Sequence, residues 1–213
     1  MMKIRSINIA TEQSIEFNGK SVKTGIFKTP TDRPIEVNTR GLVGDTVVDQ
    51  EVHGGGDQAL YLYQKEDYDW WAEELGRTLD FGTFGENLTI EGGVPADWVI
   101  GDRLFIGEVI LEISAPRAPC FKLGVKMGDS GFVKHFIRAC RPGAYARVIN
   151  GGMVAPGDTI SVQKTEENYA SVKEVFIEWH RKDKSREIID KALTSPLASV
   201  HRDRLQKWRA DAN

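Results

Sequence analysis

All 21 glycines of this 213-residue chain lie before position 158, and from Ser171 to the C-terminus there is none. Glycine supplies the positive φ that tight turns need, so its distribution divides the chain into a turn-rich part and a helical tail. Short alternating apolar runs fill the spaces between the glycines. Residues 103–106 and 109–114 flank Gly107-Glu108 at hairpin spacing, and residues 144–149 followed by Asn150-Gly151-Gly152 and Met153-Val154 repeat the signal. Gly101-Asp102 and Gly157-Asp158 read as turns entering strands, and many short strands at such spacing predict a mainly β barrel or sandwich.

Two helices interrupt this pattern. Residues 66–75 put Tyr68, Trp71, Ala72 and Leu75 on one face and stop at Gly76. Asp129 is positioned to cap a second helix with Phe132, Val133, Phe136, Ile137 and Cys140 as its apolar stripe, which makes Cys140 a core residue and His135 a surface or satisfied one. In the tail, Ser171 and Glu174 form a capping box ahead of Val175, Phe176 and Trp179. A second tail helix is expected over 185–193, with Ile188, Ile189, Ala192 and Leu193 turned inward. A third is expected to start with Ser195 as cap and Pro196 as first residue, burying Leu197, Val200, Leu205 and Trp208. The expected organisation is a barrel over 1–167 and a three-helix extension over 168–213.

Composition narrows the function classes. A net charge of −3 and a pI near 5.9 give no overall electrostatic case for nucleic acid or an anionic membrane, and the acidic residues interspersed in the tail read as a solvated helical surface. No apolar run is long enough to span a bilayer, and the first residues lack a signal-peptide core, so a cytoplasmic location is the expectation. Only Cys120 and Cys140 carry thiols, so no disulfide framework holds the fold.

Cys120 sits in Ala115-Pro116-Arg117-Ala118-Pro119-Cys120-Phe121-Lys122, directly after the alternating Val109, Leu111 and Ile113. The prolines end the strand and stiffen the corner, while Arg117 and Lys122 favour the charged sulfur that attacks electrophiles or binds metal. Buried cysteine also serves as core filler, but filler needs no cation on either side.

Three other clusters carry candidate chemistry. Arg40-Gly41-Leu42-Val43-Gly44-Asp45 precedes His53-Gly54-Gly55-Gly56-Asp57, where consecutive glycines bring backbone N–H groups close to an anion and His53 could donate to it, ligate a metal or merely cap a turn. In Phe84-Gly85-Glu86-Asn87-Leu88, Asn87 offers a donor and an acceptor to a polar ring edge, or makes an Asx turn before a strand at 88–90. Lys23-Thr24-Gly25 suits a phosphate and equally an ordinary loop.

Taken in order along the chain, these segments and the helical tail resemble the MOSC family, named after the C-terminal domain of molybdenum cofactor sulfurase, and within it the YiiM-like branch. The resemblance implies a MOSC-type β-barrel with peripheral helices, a small C-terminal three-helix domain, and a molybdenum cofactor, the metal carried on a phosphorylated pterin (molybdopterin). It assigns Cys120 as the thiolate on molybdenum, Lys23 and Thr24 to the pterin phosphate, Asn87 to the cofactor's neighbourhood, Arg40, Gly54 and Gly55 to the cofactor pocket, and His53, Arg117 and Lys122 to the cofactor pocket or the substrate side. The expected activity is reduction of N-hydroxylated compounds, such as hydroxylaminopurine-type bases, to amines. No G-x-G-x-x-G fingerprint or iron–sulfur cysteine motif occurs, so a separate flavin or iron–sulfur protein is expected to deliver electrons. The rival reading is a sulfur carrier with a Cys120 persulfide; a His53–Cys120 hydrolase pair ranks last. Homo-oligomerisation is left open, and neither nucleic acid nor membrane is an expected partner.

Overall fold

The computed structural model describes residues 1–46, 48, 55–93 and 98–211. Seven strands close into a barrel: β1 (Met2–Ile9), β7 (Leu60–Gln64), β8 (Leu88–Glu91), β9 (Arg103–Ile106), β10 (Val109–Pro116), β11 (Ala144–Asn150) and β13 (Thr159–Gln163). The neighbours run β1, β8, β7, β11, β10, β9, β13 and back to β1, all antiparallel except β7 with β8. A parallel pair needs a crossover, and helix α1 (Lys65–Leu75) supplies it, ending at Gly76 with φ 61°. The 103–106/109–114 hairpin forms as the sequence predicts.

The second predicted hairpin does not form. β12 (Gly152–Val154) turns away from β11 and pairs with β5 (Ile35–Asn38), which also pairs with β6 (Gly41–Leu42). Gly151 lies so close to this small sheet that a Cβ there would sit 2.5 Å from the Val37 carbonyl oxygen. Its glycine therefore serves close packing, not a two-residue turn. A further hairpin pairs β2 (Gln13–Phe17) with β3 (Lys20–Thr24), joined by Asn18 (φ 51°) and Gly19 (φ 72°), as a type I′ turn requires. β4 (Thr29–Thr31) adds to the outer edge of β1.

Strand β7 shows why the barrel is held on both faces. Leu60 and Leu62 enter the apolar interior with Leu88, Ile90, Leu104, Leu111 and Ile113, while Tyr61 and Tyr63 face an aromatic layer with Trp71, Phe84, Phe132 and Phe136. Trp71 Nε1 donates to Tyr63 Oη at 2.7 Å and Tyr61 Oη donates to the Pro142 carbonyl at 2.8 Å, so the buried ring polar atoms are bonded.

Helix α2 (Phe121–Met127) follows Cys120 directly, and α3 (Phe132–Ala139) packs beside it. Asp129 does not cap α3; it lies two residues before the cap position, Gly131, and its Oδ1 accepts the Gly131 N–H in an Asx turn. Cys140 is not in the helical stripe either. It terminates α3 with φ 52°, part-buried against the aromatic layer. His135 is satisfied at the surface, 2.9 Å from Glu74 Oε1.

The tail forms α4 (Val172–His180), α5 (Arg186–Thr194) and α6 (Ser199–Asp211). The Ser171–Glu174 capping box is present in both directions. The third helix begins at Ser199, not at Pro196. Ser195 ends α5, the Leu197 N–H turns back to the Ser195 carbonyl, and the Ala198 N–H bonds to the Ser114 carbonyl on β10, which holds this connection against the barrel. Val172, Val175, Ile189, Ala192, Leu197 and Leu205 belong to the same apolar cluster as the barrel interior. None of the described helices is long and apolar enough to cross a membrane.

Candidate functional site

The start of β7 and the residues just before β8 meet Tyr145 on β11 and the segment that follows β10. A register shift at Ser114 decides what β10 presents there. Ile113 pairs with Ala146 but Ala115 with Tyr145, so the extra residue moves Ala115 out of the barrel interior and onto the aromatic side. The chain then carries Arg117 and Cys120 into a cleft of about 630 Å³, open mouth included, that is also lined by Thr24, Lys28, Gln58, Tyr61, Asn87, Lys122 and Tyr145.

Tyr61 and Tyr145 are directly paired across β7 and β11, with ring centroids 5.3 Å apart, and supply apolar wall. Arg117 is 6% exposed. Its guanidinium lies 4.9 Å from the Tyr61 ring centroid and donates to the Phe84 carbonyl, and it is electrostatically coupled to Cys120. Cys120 holds the residue before α2 in extended backbone (φ −124°, ψ 172°), part-buried, with Lys122 two residues on in the first turn. Neither Arg117 nor Lys122 makes an ion pair among the described residues. Two lining glycines are steric necessities: a Cβ on Gly25 would lie 2.0 Å from the Thr46 carbonyl oxygen, and one on Gly85 (φ 77°) 2.9 Å from Ile26.

Behind the wall lies a network of buried charge. Asp45 accepts from Lys28 Nζ, from Asn87 Nδ2 at 2.8 Å and from the Ala10 N–H at 2.9 Å. Burial lowers the Lys28 pKa, and Asp45 opposes that shift. Glu86, wholly buried, takes bonds on Oε1 from Tyr68 Oη, Thr89 Oγ1 and the Gly82 N–H. Lys126 donates to the carbonyls of Ile26 and Gly82; burial brings its pKa down to about 8, against the pull of Glu86. These bonds tie together residues 26–28, 45 and 82–87, which form one side of the cleft.

Among the residues singled out by sequence, Thr24, Asn87, Arg117, Cys120 and Lys122 come together here. Lys23 does not line the cleft: it is exposed on β3 and paired with Glu12 at 2.7 Å. Arg40 is exposed on the β5–β6 turn, and Gly55 (φ 80°) precedes a 3₁₀ turn at Gly56–Gln58. His53 and Gly54 lie outside the described residues. The Asn87 amide faces inward, accepting the Tyr61 N–H at 3.1 Å and donating to Asp45, so its main work is to fix the wall. Sequence reasoning missed Lys28, Gln58, Tyr61 and Tyr145. Lys28 was legible only as a cation three residues past Gly25, and nothing local in the sequence marks Gln58.

This arrangement coincides with a family match. The MOSC domain pattern covers residues 49–161, more than half the chain and the segment that carries Gln58, Asn87, Arg117 and Cys120. The chain belongs to the MOSC family. Within it, the uncharacterized protein YflK of Bacillus subtilis is 35% identical over 170 residues, covering 80% of this chain and 77% of YflK. A protein named reductase from Gibberella moniliformis is 35% identical over 148 residues, 68% of this chain but only 26% of that much longer protein. The crystal structure of YiiM from Geobacillus stearothermophilus superposes with a TM-score of 0.82 at 26% identity, covering 98% of this MOSC chain and all of the other.

The family name points to a molybdenum cofactor, and the donor chemistry of the cleft fits one. A thiol suits a soft, sulfur-rich metal centre, and Arg117 and Lys122 suit an anionic group beside it. Among the described residues no cluster of three or more His, Cys, Asp or Glu could cage a bare ion.

Proposed function

We propose that this MOSC protein binds a molybdenum cofactor in the cleft, with the Cys120 thiolate as its protein ligand, and reduces N-hydroxylated compounds to amines. Hydroxylaminopurine-type bases are candidate substrates. The observation that carries this reading is the convergence of Cys120, Arg117 and Lys122 on one cleft whose other charges are already neutralised in pairs. When bound, the cofactor supplies a two-electron redox centre that removes oxygen, chemistry no side chain here can perform. Overall, R–NH–OH, two electrons and two protons become R–NH2 and water.

The chain's own part is orientation and charge. Arg117, clamped on Tyr61 and the Phe84 carbonyl, and Lys122 hold positive charge beside the sulfur and the cofactor's phosphate, with Thr24 Oγ1 as a further polar contact. The Lys23–Glu12 pair is a surface contact worth little, so Lys23 can turn to a phosphate at small cost. Tyr61 and Tyr145 exclude water from the inner wall. Electrons come from a separate flavin or iron–sulfur protein.

The test is metal and pterin content of protein purified anaerobically from a host that makes the cofactor, followed by assay with an N-hydroxylated substrate and a chemical reductant. Near-stoichiometric molybdenum, lost in Cys120→Ala with activity, is expected. Persulfide on Cys120 in protein that carries neither metal nor pterin would transfer the assignment to sulfur delivery.

A further inference from the structure

Gln58 is 4% exposed and lines the cleft, yet its Oε1 has no hydrogen-bond partner. A buried amide oxygen left unbonded carries a desolvation penalty, and such groups in native folds ordinarily meet a protein group, a water or a ligand. The other end of the same amide is engaged: Nε2 lies 3.4 Å from His201 Nδ1 on α6. Burial depresses the His201 pKa to about 4, so the ring is neutral near pH 7, and the tautomer protonated on Nε2 accepts the amide N–H at Nδ1. With Nε2 turned to the ring, Oε1 is the end left over.

The backbone beneath Gln58 is fixed from the same helix. Asp57 Oδ2 accepts the Ser199 N–H at 3.0 Å, its Oδ1 pairs with Arg147 at 2.9 Å, and its carbonyl accepts Ser114 Oγ at the β10 register shift. The acceptor is therefore held from three directions, by the tail helix, β11 and β10.

We propose that Gln58 is a ligand-reading residue of the cleft, its carboxamide oxygen accepting a hydrogen bond from a neutral N–H or O–H group of the bound ligand while His201 holds the amide in that orientation. This rests on the reading of the cleft as a cofactor and N-hydroxy substrate site. It adds a selectivity: an acceptor on a buried wall favours a compound that keeps its N–O–H hydrogen over one in which that oxygen is alkylated. The donor comes either from the substrate's N–O–H or from an N–H of the cofactor's pterin ring.

The experiment uses cofactor-loaded protein without electron donor, so nothing turns over, and compares calorimetric binding of a hydroxylamine and its O-methyl ether in wild type and Gln58→Leu. Metal and pterin content and the thermal midpoint are measured on the same samples. If the substrate is the donor, Gln58→Leu keeps its cofactor, binds the hydroxylamine on the order of tenfold more weakly, and no longer distinguishes it from the ether. If the pterin is the donor, cofactor content falls instead, in protein whose thermal midpoint is unchanged or raised. His201→Leu should repeat the same loss in weaker form, because it frees the amide to turn. Unchanged cofactor content together with unchanged discrimination in Gln58→Leu overturns the proposal and leaves the function standing. Wild-type protein with neither cofactor nor hydroxylamine binding overturns both.

Discussion

Cys120 and Cys140 differ in the backbone and charge around them. Cys120 opens on a cleft with Arg117 and Lys122, whereas Cys140 ends α3 in the left-handed region, and burial pushes its thiol pKa up with only a weaker counter-pull from Lys173 and Arg141. Less thiolate at neutral pH means slower alkylation. Iodoacetamide at pH 7.5 should therefore label Cys120 first by peptide mass mapping, and Cys140→Ser should keep nearly full activity; equal loss in both serine variants would refute the division of roles. Glycine gives a second prediction at this scale. Gly25→Ala drives a methyl into the Thr46 carbonyl, a backbone atom that cannot swing away, and should cost more than about 2 kcal/mol in urea denaturation. Gly56→Ala meets nothing within 4 Å and should be neutral or stabilising by up to about 1 kcal/mol. Residues such as Cys120 and Arg117 were legible because their chemistry sits in one short segment. Lys28, Asp45 and Gln58 were not, because their meaning lies in partners 17 to 143 positions away.

Elements were legible where one local rule governed them. The Gly107-Glu108 hairpin, the stop of α1 at Gly76 and the Ser171 capping box each follow from a few adjacent residues. β7 was silent because both of its faces are buried, which erases the alternation that marks a half-buried strand. α2 was hidden by its brevity and by Gly124, whose Cβ would lie 3.1 Å from the Asp129 carbonyl oxygen. The start of α6 was misplaced because the Ala198 N–H bonds to β10, a tertiary contact that Ser195-Pro196 does not announce. α6 also carries a pH prediction. His201 has a folded pKa of about 4 against 6.5 when unfolded, so between those values the unfolded chain binds a proton that the folded chain does not. Its contribution is complete above pH 6.5 and is lost as pH falls through 4, by on the order of 3 kcal/mol. His180 shifts in the same direction, through burial and then Lys184. Urea midpoints taken from pH 7 to pH 4.5 should fall less steeply for His201→Gln than for wild type, and parallel curves would show that the ring is hydrated in the fold.

The barrel and the tail share more than a surface. Leu197 and Leu205 join Leu111 and Ile113 in one apolar cluster, Phe176 on α4 packs at 6.4 Å on Phe136, and the Val172 N–H bonds to the Trp98 carbonyl at 2.8 Å. Removing residues 171–213 would uncover these apolar faces and strip Asp57 and Gln58 of Ser199 and His201. Each large buried side chain contributes about 1.5–3 kcal/mol, so the loss of several exceeds the 5–15 kcal/mol by which a domain is stable. The truncated chain is expected to aggregate or to melt without a cooperative transition. A second measurement separates stability from site assembly: full-length protein with Asp57→Ala keeps the apolar contacts but cuts the bonds from the turn at Gly56–Gln58 to Ser199 and Arg147. It should melt within a few degrees of wild type while losing most of its ligand affinity. If truncated protein instead unfolds cooperatively and binds as the whole chain does, the tail is a separate module and the cleft is complete without it.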